Sequence, residues 1–95
     1  MNNQPQWTQE EAIDYECARE AITHARSIYY SQIYKEEAKP QPDMALLAEL
    51  RTEAGRLFEE RRSLRVKNQA ENVRVQEKYG AFVRAWNAKQ EAVAA

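Results

Sequence analysis

Beyond Pro5, the only prolines in this chain stand at 40 and 42, in Lys39-Pro40-Gln41-Pro42-Asp43, and its only glycines, Gly55 and Gly80, stand alone. Each proline lacks an amide donor and pushes the residue before it toward extended backbone. A chain with one such interruption lacks the turn residues that a many-stranded sheet requires, and a charged fraction of 31% suits long helices. The expected fold class is therefore all-α: an antiparallel helical hairpin joined by a proline-containing linker at 39–43.

Helix one has a legible start. Thr8-Gln9-Glu10-Glu11 has the form of a capping box, in which the hydroxyl accepts from the Glu11 amide and the Glu11 carboxylate reaches back. From there no breaker intervenes before Pro40, so helix one is expected over about residues 9–38, roughly 45 Å at 1.5 Å per residue. At helical spacing, Tyr15, Ala18, Ile22, Ala25, Tyr29 and Ile33 share one stripe, flanked by a ridge of Ile13, Cys17, Ala21 and Ile28. An apolar arc this wide suits a helix that touches two neighbours.

The uncharged stretch SIYYSQIY, residues 27–34, divides between these faces. Tyr29 falls on the core stripe. Tyr30 and Tyr34, one turn apart, fall on the side that carries Glu16, Arg19, Thr23 and Arg26, where tyrosine is either solvated or part of an interface.

Asp43 is positioned to cap a second helix from Met44. Its apolar stripe runs through Leu46/Leu47, Leu50, Ala54, Leu57, Leu64, Val75, Tyr79, Phe82/Val83 and Trp86, with Arg61, Asn68 and Asn72 in the intervening places. Because the phase holds throughout, one long second helix over about 44–92 is expected, roughly 75 Å long. The alternative is a three-helix bundle with a break near 66–69, where Asn68-Gln69-Ala70-Glu71 reads as a second N-terminal cap.

The two arrangements differ in oligomeric state. A continuous second helix outruns helix one and leaves Tyr79, Phe82, Val83 and Trp86 uncovered, each large side chain forgoing roughly 1.5–3 kcal/mol of burial. Such a chain is expected to be a homodimer or to hold a protein partner. A chain broken at Asn68 can fold these aromatics back on itself, and Asn68 and Asn72 then mark a kink rather than a dimer register.

Ninety-five residues are enough for one domain at most, and a single helical domain over 1–95 is expected. The net charge of −1 hides an acidic half, residues 1–43, with eight Asp/Glu against four Lys/Arg, and a basic half with seven against ten. These halves are expected to pack on one another. The lone Cys17 excludes an intrachain disulfide and suits a reducing compartment. MNNQPQW has no basic-then-apolar pattern, and no apolar run approaches the roughly 20 residues that span a bilayer. A cytoplasmic, non-membrane protein is expected.

No catalytic, cofactor-binding or metal-ligating constellation stands out. Cys17 and His24 lie about 10 Å apart along one helix, too far for a dyad. They and Glu20 offer at most a partial ligand set, and His24 is expected to be half-buried or paired with Glu20. No glycine-rich phosphate loop occurs. The expectation is a non-enzymatic interaction protein without cofactor: an adaptor, escort or inhibitor that presents Tyr30 and Tyr34, or Tyr79, Phe82 and Trp86, to a protein partner. The alternative is an accessory nucleic-acid binder that uses Arg61, Arg62, Arg65, Lys67, Arg74 and Lys78, although interleaved glutamates dilute the potential such binding needs.

Overall fold

The structure, a computed structural model, describes residues 6–94, and the chain is all-helical in three segments: α1 (Gln9–Glu37), α2 (Met44–Ser63) and α3 (Gln69–Ala94). Residues 1–5, most of the stretch in which no secretory signal is expected, lie outside the described residues. Among the described residues no helix is long and apolar enough to cross a membrane.

The capping box at the start of α1 forms in both directions. The Thr8 amide donates to Glu11 Oε1 at 2.8 Å, and the Glu11 amide donates to Thr8 Oγ1 at 3.1 Å. At the far end Glu36, buried although ionisable, receives the Lys39 ammonium at 2.8 Å and the Asp43 amide at 2.9 Å. One carboxylate thus clasps both sides of the proline linker, and Asp43 caps α2 by accepting from the Leu46 amide. The linker reverses the chain, so that Arg51 meets Glu37 and the Ala54 carbonyl meets Arg26 in antiparallel order.

The second helix is not continuous, and the expected span of 44–92 is corrected to two helices. The chain leaves helical backbone at Leu64 (ψ 145°) and re-enters at Gln69. Two asparagines fix the break. Asn68 Oδ1 accepts from the Glu71 amide at 3.3 Å, as an N-cap, and the Asn68 amide donates to the Arg65 carbonyl at 3.0 Å. From one turn into α3, fully buried Asn72 donates its Nδ2 to that same carbonyl at 3.0 Å. The turn's exposed backbone acceptor therefore has partners that a straight helix would not offer.

After the break α3 runs parallel to α1. Gln69 and Gln76 both donate to Asp14 near the start of α1, and Phe82 stacks on Tyr29 further along it, with ring centroids 5.6 Å apart. The core gathers Ala18, Ile22 and Ala25 of α1 with Leu57 and Leu64, and Val75 and Tyr79 of α3; a smaller cluster joins Ile33 to Leu47 and Leu50. Tyr29 packs against both clusters. Backbones meet unequally: both α2 and α3 pack closely on α1, but no Cα of α2 comes within 8 Å of a Cα of α3. Small alanines on α1 allow the two helices to approach it, which makes α1 the central element.

Burial of Tyr79 and half-burial of Phe82, Val83 and Trp86 give the residues on which the homodimer expectation rested a surface within their own fold. Ile13 and Cys17, assigned to a second apolar ridge, are instead exposed, whereas Ile28 of the same ridge is buried and Ala21 packs against the core.

Candidate interaction surface

The first candidate pair, Tyr30 and Tyr34, stays at the surface, 38% and 68% exposed. Tyr30 is not a solitary ring. Arg26, one turn earlier, donates from Nη2 to the Tyr30 hydroxyl at 2.9 Å and lies 5.4 Å from the ring centroid. On its other side the same guanidinium lies 5.1 Å from the centroid of Phe58 on α2, while its Nε donates across the seam to the Ala54 carbonyl at 3.2 Å. Arg62 approaches Phe58 at 6.0 Å. Tyr30, Arg26, Phe58 and Arg62 thus form one alternating aromatic–cation row across the α1–α2 seam.

Geometry explains why the row holds. Tyr30 leans away from the core stripe, and Phe58, next to buried Leu57, leans the same way from α2. Each ring would be a loose surface aromatic alone, and the cation between them contributes about 0.5–1 kcal/mol per exposed contact. Phe58 remains 41% exposed, so the row is accessible from outside. Sequence reasoning missed Phe58 and the pairing of Arg26. A helical projection of 44–63 would have set Phe58 on the flank of the Leu57 stripe, but it could not show which α1 residue lies opposite.

Toward the N-terminal end of the same seam is a cavity of about 380 Å³ lined by Trp7, Ala12, Tyr15 and Glu16 with Leu64, Arg65 and Val66 of the break. Arg19 lies 5.4 Å from the Tyr15 ring centroid and extends the aromatic–cation pattern along α1.

The second set of candidates is divided. Tyr79 is 4% exposed and its hydroxyl donates to Glu60 of α2, so it is corrected from partner contact to core. Phe82 is half-buried against Tyr29, and Trp86 is half-buried beside His24, Ile28 and Val83 in a shallow α1–α3 groove. Their apolar surface is covered largely by α1 because the break turns α3 back onto it.

The basic segment is divided as well. Arg61, Arg62 and Arg65 belong to the end of α2 and the turn, where Arg65 donates to the Arg62 and Leu64 carbonyls. Lys67 donates to the Gln6 carbonyl from within the break. Arg74 is on α3, paired with Glu71 and Glu60, and Lys78 lies over the Tyr79 ring. The break thus separates Lys67 from Arg74 and Lys78, and the six cations are spread over two helices and a turn rather than one continuous helix.

Glu60 is the centre of a polar link between α2 and α3, joined by Arg56 at 3.3 Å, Arg74 at 3.8 Å and the Tyr79 phenol. Burial, reinforced by the hydrogen bond to Glu60, pushes the Tyr79 hydroxyl up to about 12. A phenol in that range neither gives up nor accepts a proton near neutrality, so this network can brace helices but is mistuned for acid–base work. His24 is exposed, and among the described residues it forms no ion pair with Glu20. Nor does any group of three or more His, Cys, Asp or Glu converge among them as a metal site would require. No protein family, curated protein or solved structure matches this chain.

Proposed function

We propose that this chain is a small, non-enzymatic binding module whose working surface is the α1–α2 seam, and that it acts by occupying a site on a larger protein as an adaptor, escort or inhibitor. The observation that carries this reading is the exposed Tyr30–Arg26–Phe58–Arg62 row. Tyrosine and arginine are the residue types that dominate binding energy at protein interfaces, because each combines a large contact area with fixed hydrogen-bonding groups. Here they are already held in place by one another, so little side-chain freedom is lost on binding. The free thiol of exposed Cys17 suits work in a reducing compartment such as the cytoplasm.

The test is affinity capture from native lysate, treated with nuclease, using the wild type and a Tyr30→Ala, Tyr34→Ala, Phe58→Ala variant of unchanged circular dichroism. A protein retained at near-equal stoichiometry by the wild type and lost by the variant supports the reading. Equal retention by both moves the working surface elsewhere.

A further inference from the structure

We infer that the α1–α2 seam recognises an acidic segment of a protein, with Arg26 as the carboxylate-receiving anchor. This rests on the proposed function and deepens it by naming the chemistry of the partner.

Arg26 and Arg61 are the half-buried arginines without a carboxylate partner among the described residues, and of the two Arg26 is the one held by hydrogen bonds, the Arg61 Nε being buried without one. Most arginines on the helices are tied to carboxylates: Arg51 to Glu37, Arg56 to Glu53 and Glu60, Arg74 to Glu71. Arg26 instead is half-buried and fixed by neutral groups alone, a backbone carbonyl, a phenol hydroxyl and two ring faces. Among the described residues no carboxylate comes within the 4.0 Å of an ion pair. Two of its five N–H donors are committed, and the rest of the fork remains open to an incoming acceptor.

The neighbouring charges favour the same occupant. Arg19, Arg62 and Arg65 line the seam with Arg26; Glu16 pairs with half-buried Arg19 and Glu59 with exposed Arg62, each at 3.4 Å. Arg65, like Arg26, has no carboxylate partner among the described residues and donates to the Arg62 and Leu64 carbonyls. Arginine forks bind carboxylates in a two-pronged geometry, and an arginine held rigid in advance gains most from doing so. A protein segment fits better than a nucleic acid, since a peptide's few carboxylates can be spaced between the flanking glutamates, whereas a phosphate backbone brings continuous negative charge against Glu16 and Glu59.

Peptide display tests this on the whole folded chain. A library of random peptides about 20 residues long, enough for a helix to reach from Tyr15 to Tyr34, is selected against the wild type and the enriched pool is sequenced. The expected pool is rich in Asp and Glu, its best members bind in fluorescence anisotropy, and replacing their acids by Asn and Gln weakens them about tenfold or more, as does Arg62→Gln in the protein. Arg26→Lys, which keeps the charge but not the fork, gives a loss of similar size at an unchanged melting temperature; if that variant unfolds, exposed Arg62 carries the test alone.

An empty or neutral pool, or acidic peptides indifferent to Arg62→Gln, overturns the inference. So does tighter binding of short single-stranded or duplex oligonucleotides through the same arginines, or a concentration-dependent dimer that Arg62→Gln abolishes. Should the triple variant lose its captured protein while Arg62→Gln and Arg26→Lys keep it, the acidic specificity fails and the binding-module reading stands.

Discussion

The Tyr79 phenol on α3 donates to the Glu60 carboxylate on α2, joining two helices whose backbones do not otherwise approach. Because the neutral phenol is the form held by burial and by this bond, its ionisation constant lies at about 12, above the usual 10.0. The stability it contributes is complete below pH 10.0 and is lost as pH rises through about 12. Ultraviolet titration of the five tyrosines should show a late-ionising component, and Tyr79→Phe should delete it. A titration curve unchanged by Tyr79→Phe would remove the bond from the folded state.

Acid should loosen two other contacts, one at the linker and one between α1 and α3. Glu36 lies below its ordinary range because the Lys39 ammonium and the Asp43 amide both bind its charged form, and Asp14 is lowered by the amides of Gln69 and Gln76. Depressed carboxylates of this kind stabilise the fold above their unfolded values, 4.5 and 3.8, and that contribution fades as pH falls through the lower folded values. Glu36→Gln should therefore shrink the decline in melting temperature between neutral pH and about pH 3. An acid dependence identical to the wild type would contradict the clasp at the linker.

The break depends on Asn68 and Asn72. Asn68→Ala removes a helix cap and should cost about 1 kcal/mol. Asn72→Leu removes the donor to the Arg65 carbonyl but also the buried, unpartnered Asn72 Oδ1. The double variant should favour a straight second helix with uncovered last turns, so that small-angle scattering and sedimentation report an elongated dimer. A compact monomer from that variant would place the determinant of the break elsewhere.

Core and surface tyrosines should separate in a denaturation series. Tyr29, packed on both clusters and stacked on Phe82, should cost about 3–5 kcal/mol as Tyr29→Ala. Tyr34→Ala should stay within about 0.5 kcal/mol of the wild type. A large loss at Tyr34 would mean that its ring is covered in solution.

Much of this architecture was legible because it is local. Thr8 with Glu11, the prolines at 40 and 42, and Asp43 act over three or four residues, and each appears where its chemistry requires. Stripe phase also carried over: Leu47, Leu50, Ala54, Leu57, Leu64, Val75 and Tyr79 are all buried. That same regularity favoured a continuous helix over the break, although Asn68-Gln69-Ala70-Glu71 had marked the break as the alternative and Asn68 does cap α3. Periodicity reports which face is apolar and cannot distinguish a straight continuation from a reversal. The seam was half legible for a related reason: Tyr30 was visible as a flank residue, whereas the placement of Phe58 against Arg26 depends on the register between α1 and α2.

Because α2 and α3 pack side by side on α1 with little backbone contact between them, this small chain is divisible in a way a symmetric bundle is not. Loss of α3 would uncover Ala18, Ile22 and Tyr29 of α1 with Leu57 and Leu64 and free Glu60, while the contacts of the linker clasp and of the α1–α2 row involve no α3 residue. Native-state hydrogen exchange should then resolve two levels of protection, with amides in α3 exchanging through a partial opening and those of α1 opposite Leu47 and Leu50 only on complete unfolding. The proposed recognition surface and the helix that reinforces it would thus reside in separable parts of the chain, and sequence change in α3 could tune the lifetime of the fold without altering the residues of the seam.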